Sequence, residues 1–490
     1  MIITKSIAIL QVSLFSFVDN TAEWTYAISD NAQTRLLQIA RALLNITSSR
    51  FTLYPGYHMP ASPIPLFDTY NRFRDLNFSR VSDEQPVVTQ YLFSFPSEMK
   101  AQEGYLAVRG FLKSYSNNEA TFNSYRTHVE RLLLWSLLVA KKPILELRRH
   151  DCESFLEFCL QPSPEWIGPI VKSRFSRVGG RKAAETDTYV INDKWRPFNV
   201  KIDKQIRKVA AENSKDVEDT AYKMSAGSMG QVFAVCGSFF QYTIDEGLTS
   251  EANPIRSVKQ KSNYKQRNTV MSSGKALTPL QWNYVIETAE VMAAEDPRHE
   301  RTLFIVATLF SLYLRISDLV GRDNWKPTMG SFEFDGENWW FNVVGKGNKS
   351  AKVSVRDEYI EDYLKRYRTT LSLPPLPSYK ESTPLVTTVR GRAGLSDRYI
   401  RALIQMVFDK SLQRMKDEGQ TDLEMDKLRS ASLHWLRHTA ATFDAPFRDI
   451  KDLQADLRHE SMSTTQNTYY NALDQNRAKS VKGLGIKDRG

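Results

Sequence analysis

Between Arg301 and Arg315 the chain runs Thr302-Leu-Phe-Ile-Val-Ala-Thr-Leu-Phe-Ser-Leu-Tyr-Leu314 without a single charge. A run that apolar and that long reads as a buried helix, Leu303 to Leu314, around which a domain core must be built. It ends on Arg315. A guanidinium at the end of a buried helix needs a partner anion, or it costs several kcal/mol. Asp318, three residues on, is the nearest candidate, and a structural ion pair is the plain expectation.

The rest of the chain fits a large protein with more than one core. It has 490 residues, 41% of them hydrophobic, which favours two to four globular domains. The net charge of +10 favours a polyanionic partner, nucleic acid being the commonest. The three cysteines, Cys152, Cys159 and Cys236, form no CxxC pair, so a disulfide framework or zinc ribbon is not expected. Cys152 and Cys159, spaced i, i+7 beside Phe155 and Phe158, read as one buried helix face. The apolar run at 7–18 is interrupted by Gln11, Ser13 and Ser16 and lacks a cleavage site, so it reads as neither signal peptide nor membrane span. The expected location is the cytoplasm, in association with the nucleoid, with no membrane partner.

Four regions follow from composition and periodicity. Residues 1–95, broken by Pro55, Pro60, Pro63 and Pro65, carry no dominant pattern and no assigned role. Residues 96–255 are helical, with Tyr125, Val129, Leu132 and Leu133 on one face and Met229, Val232, Phe233 and Cys236 on another. A basic insertion near 168–220, including Lys172-Ser-Arg-Phe-Ser-Arg-Val-Gly-Gly-Arg-Lys182, interrupts them; it reads as a solvated loop or as one touching a phosphate backbone. Residues 256–275 hold Arg256, Lys259, Lys261, Lys265, Arg267 and Lys275 with no acid, and read as a basic interdomain linker able to lie along DNA. The last region, 276–490, opens at Thr278-Pro279, an N-cap followed by proline at the first helical position. It contains a small antiparallel sheet: Ser331-Phe-Glu-Phe334, a turn at Asp335-Gly336, Trp339–Val344, a turn at Gly345-Lys-Gly347, and Lys352–Val355. The fold class is therefore mainly α with a small antiparallel β-sheet.

The chemistry-bearing residues collect near the C-terminus. Three of the seven histidines lie between 434 and 459. His434, Arg437 and His438 are spaced i, i+3, i+4 and share a helix face, while Leu433, Leu436 and Ala440 form a neighbouring apolar one. Two histidines at i, i+4 can bind zinc, but the glutamate of HExxH is missing and no cysteine is near, so no metal is expected. Lys346 sits at a hairpin tip, ordinarily a solvated position, and its surroundings lack a phosphate-loop consensus, so no nucleotide cofactor is expected. Tyr469 and Tyr470 follow a Ser/Thr-rich turn; a tyrosine is ordinarily packing, and as a nucleophile its pKa near 10 needs help.

Taken in order, these residues resemble the tyrosine recombinase, or phage integrase, family. The resemblance covers about 276–475, and more loosely 97–255. Tyr313-Leu-Arg315-Ile-Ser-Asp318 resembles the first arginine box, and Val-Gly-Lys346-Gly-Asn-Lys the hairpin lysine. His434-Trp-Leu-Arg437-His438 resembles the His-x-x-Arg box, Leu-Arg-His459 the next histidine, and Ser463-Thr-Thr-Gln-Asn-Thr-Tyr-Tyr470 the nucleophile segment. The chain departs from the pattern at Tyr313 and Arg458, where glycine is usual, and in a longer spacing from His459 to the tyrosines. Tyr469 needs the smaller shift and is the preferred nucleophile, with Tyr470 the alternative.

The resemblance implies a metal-free and nucleotide-free reaction. Arg315 and Arg437 would clamp the scissile phosphate through forked hydrogen bonds. His434 and His459 would add donors in the transition state. Tyr469 would attack to give a 3′-phosphotyrosyl link, and Lys346 would protonate the leaving 5′-oxygen. The implied partners are double-stranded DNA, a homotetramer on two DNA sites, and accessory DNA-bending proteins. Alternatives are a regulator of the same fold without strand transfer, a monomeric topoisomerase-like enzyme, and a zinc hydrolase built on the histidines.

Overall fold

The computed structural model describes residues 62–75, 86–177, 189–200, 202–212, 221–261, 274–322, 325–345 and 349–459, with the backbone alone at 259–261. Most of these residues are helical, and they bury two separate apolar cores, one built from residues between 66 and 258 and the other from residues between 277 and 457.

The first core is helical. It takes in α1 (Pro86–Phe93), α2 (Ala101–Lys113), α3 (Glu119–Trp135) and α4 (Arg149–Leu160). Asn118 caps α3 by accepting the Thr121 N–H at 2.9 Å. The periodicity is realised: Val129, Leu132 and Leu133 are buried, as are Cys152, Phe155 and Cys159 on α4. Leu66, Phe67, Phe73, Val88, Leu92 and Phe95, for which the sequence shows no dominant pattern, pack into this same core. Their segment is held by Glu130 on α3, which accepts the Leu66 N–H at 2.7 Å and the Phe67 N–H at 3.2 Å.

The insertion is partly structural. Its short hairpin, β1 (Phe175–Arg177) with β2 (Tyr189–Ile191), is antiparallel. Arg174 at its base pairs with buried Glu130 and lies over the Trp195 ring at 4.8 Å. That guanidinium is used inside the protein, unlike the solvated or phosphate-touching loop the sequence suggests. Helix α5 (Lys204–Glu212) then docks on the second unit, where Lys208 pairs with Asp409 at 2.6 Å and Glu212 with Arg429 at 2.9 Å. Helix α6 (Ala226–Asp245) returns to the first core, burying Met229, Val232, Phe233 and Cys236. Helix α7 (Pro254–Lys261) follows, and Ile255 and Val258 bury in the same core. Arg256 therefore stands on a packed helix rather than in an interdomain linker. Lys265 and Arg267, and the side chains of Lys259 and Lys261, lie outside the described residues.

The second unit opens with α8 (Pro279–Glu295). Thr278 caps it as expected, with Pro279 in the first turn and Gln281 closing a capping box. Helix α9 (Glu300–Ser311) is buried nearly all round, as the uncharged run from Thr302 demands. It stops three residues before the expected end, at a left-handed Tyr313 with φ 49°. Arg315 thus does not end the apolar helix but caps the next one, α10 (Ile316–Val320).

The three expected strands form, the last one shifted to start at Ser350 instead of Lys352. Strands β3 (Phe332–Phe334), β4 (Trp339–Val344) and β5 (Ser350–Ser354) form an antiparallel meander, Phe332 opposite Phe341 and Phe341 opposite Val353. Alternation buries Phe341, Val343 and Val353 on one face. Gly336 takes the turn at φ 105°, a conformation that suits glycine. After a helical stretch over Tyr359–Leu364 and Lys365–Thr370, four longer helices complete the described part of the unit: α11 (Asp397–Asp417), α12 (Asp422–Ser430), α13 (Leu433–Asp444) and α14 (Ile450–Leu457). Among the described residues no helix is long and apolar enough to cross a membrane.

Candidate active site

Helix α13 carries the centre of the site. Its apolar face, Leu433, Leu436, Ala440 and Ala441, packs into the second core. The adjoining stripe presents His434, Arg437 and His438, as the i, i+3, i+4 spacing requires. The two imidazole rings meet edge to face at 4.5 Å. Arg437 is only 3% exposed, and its guanidinium spans two backbone carbonyls, donating through Nη1 to Tyr313 O and through Nη2 to Leu457 O. Those carbonyls belong to the loop before Arg315 and to the end of α14, so one side chain joins both elements.

Arg315 is half-buried, and its Nη2 donates to the Arg458 carbonyl at 3.4 Å. The expected ion pair is arranged differently. Asp318, fully buried, accepts the Arg315 backbone N–H at 2.9 Å, closing the N-terminus of α10. Its carboxylate also pairs with Arg322 at 2.8 Å and with Arg458 at 2.6 Å. Burial works to raise the Asp318 pKa, but Arg458, the Arg315 N–H and Arg322 outweigh it and hold the carboxyl below its usual range.

The result is a cluster with a surplus of positive charge. Burial first, then the charges of Arg315 and Arg458, pull the Arg437 pKa down to about 9; Asp318 only partly offsets them. Among the described residues no carboxylate lies within ion-pair distance of Arg437. Burial and then the neighbouring positive groups hold the histidines neutral: His459 and His438 are pushed down to about 4. His434 is exposed over much of its surface, yet the buried part of its ring, then Arg437 and Arg315, keep its pKa below the usual value. A neutral imidazole still offers one N–H donor. Such a set of donors fits a bound anion whose charge grows during reaction.

His459 reaches the cluster from the end of α14, its N–H on the Gln454 carbonyl at 3.3 Å. Arg458, just before it, has φ 52°. A left-handed L-residue costs about 1–2 kcal/mol, so both positions where the sequence departs from glycine, Tyr313 and Arg458, hold the backbone conformation that glycine suits. Lys346 lies outside the described residues, as do Tyr469 and Tyr470. The stem of the Lys346 hairpin is tied to the site by Arg322, which donates to the Val344 carbonyl while holding Asp318. The structure thus brings together Arg315, His434, Arg437 and His459.

Several residues around the site carry no local sequence signal. Tyr313 Oη meets Asp444, which also pairs with Arg356; Arg448 Nη1 donates to Tyr313 Oη at 3.1 Å. Arg448 also pairs with buried Asp456 at 2.7 Å, and Asp456 accepts the Ser354 N–H of β5 at 3.0 Å. Lys275 and Arg401 add positive charge beside His434. Leu277, at the exit from the basic linker, donates its N–H to Thr439 Oγ1 on α13 at 2.9 Å. Only the Arg322–Asp318 pair, spaced i, i+4, could have been read from the chain.

No family model matches the chain, and no curated protein matches it. Solved structures do. XerH site-specific recombinase bound to palindromic difH substrate, in a post-cleavage complex, is 13% identical, with 86% of this chain and 99% of that chain covered at a TM-score of 0.48. The Tn1549 transposon integrase with a circular intermediate DNA is 12% identical, covering 76% and 98% at 0.41. A lambda integrase dimer bound to a COC′ core site is 10% identical, covering 94% and 92% at 0.40. This is likeness of chain path at low identity.

Proposed function

We propose that this chain is a site-specific DNA recombinase or integrase of the tyrosine type. The observation that carries the reading is Arg437, buried in a cradle of two carbonyls beside Arg315, with no acid in ion-pair contact among the described residues and three neutral imidazoles around it. Two forked cations side by side suit a phosphodiester, whose nonbridging oxygens they can share. Tyr469 loses its phenolic proton to solvent as its oxygen attacks phosphorus, the bond to the 5′-oxygen breaks, and Lys346 supplies the proton that the leaving oxygen needs. His434 and His459 donate to the nonbridging oxygens of the pentacoordinate phosphorane as negative charge accumulates there. The reverse reaction rejoins the strand, because the covalent link conserves the bond energy.

The two cores, joined by the basic segment 256–275, suit a clamp on duplex DNA, and the working assembly is a tetramer on two duplexes. The test uses nicked suicide duplexes taken from the DNA flanking the gene, together with a randomised pool. Wild-type protein is expected to give a covalent adduct stable to denaturant. Tyr469→Phe should abolish the adduct while DNA binding persists. Adduct from Tyr469→Phe but not from Tyr470→Phe moves the nucleophile to Tyr470. Tight DNA binding with no adduct from wild type on any substrate makes the chain a regulator, and relaxation of supercoils by a monomer without sequence preference makes it a topoisomerase.

A further inference from the structure

Six non-glycine residues among those described have positive φ, and two of them, Tyr313 and Arg458, stand in the two loops that feed the site. Tyr313 is two residues before Arg315; Arg458 immediately precedes His459. Neither type of side chain favours a left-handed backbone. Arg458 also keeps buried Nε and Nη1 groups with no hydrogen-bond partner among the described residues. Strained backbone and unpaired buried donors persist where the surrounding structure holds them for a reason.

The reason lies in what these two turns aim. Tyr313 O and Leu457 O, on either side of the arginine cluster, are the acceptors that fix the Arg437 guanidinium. Arg458 O accepts from Arg315 Nη2. Three carbonyls at or beside the left-handed residues therefore orient both arginines. Each left-handed residue is then locked from its side chain. Arg458 Nη2 is on Asp318 Oδ2, the same oxygen that accepts the Arg315 N–H. Tyr313 Oη is on Asp444, in a network that runs through Arg356 and Arg448 to Asp456 and strand β5. These contacts span more than a hundred residues of sequence and join the loop of Arg315, the hairpin of Lys346, and the helices that lead to Arg437 and His459.

We infer that Tyr313 and Arg458 are positioning residues, whose anchored side chains hold left-handed turns so that backbone carbonyls aim Arg437 and Arg315 at one phosphate. This rests on the proposed reading of the site as a phosphate clamp. Glycine at either position would accept the backbone and lose the anchor, so the structure separates fold from aim.

The experiment compares Arg458→Gly, Tyr313→Phe and Asp318→Asn with wild type. Three quantities are measured: thermal midpoint, affinity for tungstate as a phosphate mimic, and single-turnover adduct formation at saturating DNA. Arg458→Gly, which relieves the left-handed strain but removes one partner of buried Asp318, is expected to remain folded with a lowered thermal midpoint, and to bind tungstate and to cleave at least about tenfold more weakly at temperatures well below it. Tyr313→Phe, which changes no charge, should weaken both in the same direction. Asp318→Asn makes the site more positive; if charge alone mattered it would bind tungstate more tightly, whereas loss of aim predicts weaker binding. Unchanged tungstate affinity and cleavage in Arg458→Gly and Tyr313→Phe would overturn the inference, as would tighter tungstate binding by a folded Asp318→Asn. If wild type forms no adduct while the tungstate losses are seen, the positioning role stands and the strand-cleavage reading falls.

Discussion

Replacing Arg437 by lysine keeps the charge and removes the fork, so it isolates what the geometry contributes. In the structure the guanidinium is 3% exposed and bridges Tyr313 O and Leu457 O. A single ammonium on a shorter stem cannot satisfy both. One buried carbonyl is left unpaired, at about 1–3 kcal/mol of folding stability. The ammonium that remains is drawn to the other carbonyl and away from any phosphate. Loss of one preorganised transition-state donor costs about 3–4 kcal/mol, which is about 10²–10³-fold in rate. Stability is read from urea midpoints, affinity from gel shifts, and rate from adduct accumulation on a suicide duplex at saturating protein. The expected result for Arg437→Lys is a modest loss of stability, DNA affinity within about threefold of wild type, and adduct formation slowed about 10²–10³-fold. Adduct formation within about tenfold of wild type in a folded variant would refute the claim that the bridging fork matters.

The histidines predict acid sensitivity. Burial first, helped by neighbouring positive groups, holds His128, His438 and His459 near 4 in the folded chain, against about 6.5 unfolded. The unfolded state therefore binds more protons between those values, so the stability present above about pH 6.5 is lost as pH falls toward 4, on the order of 2 kcal/mol for buried His128 and less for the more open pair; urea midpoints flat from pH 7 to 4.5 would contradict this. Arg315→Ala should slow cleavage by several orders of magnitude, and a near-normal rate would confine Arg315 to capping α10 through Asp318. Adduct formation should continue in excess EDTA and without ATP, and a strict divalent-metal requirement for cleavage would favour a hydrolase instead. Changing Lys259, Lys261, Lys265 and Arg267 to Gln should weaken specific and random duplexes alike and flatten the salt dependence by up to about 0.9 per contact; an unchanged slope would make the segment a solvated linker.

Much of the local structure was legible because its causes are local. The uncharged run marks α9 as a buried helix, Thr278-Pro279 marks the start of α8, and alternation with Asp335-Gly336 marks β3, its turn and β4. The i, i+3, i+4 spacing places His434, Arg437 and His438 on one stripe. What the chain could not show was which charge meets which. Asp318 is the obvious mate for the Arg315 guanidinium three residues away, yet it caps that residue's backbone and pairs with Arg458, 140 residues on. Leu66, Phe67, Phe73, Val88, Leu92 and Phe95 show no strong period and are recruited by Glu130 and the packing of α1 to α3. Arg174, one cation in a basic stretch, turns out to serve buried Glu130. The left-handed turns at Tyr313 and Arg458 are invisible in residue type, since neither residue favours them. Period and capping act over one or two turns of helix, so sequence carries them; the aim of the two arginines depends on carbonyls and carboxylates delivered from distant segments, and only tertiary structure decides that.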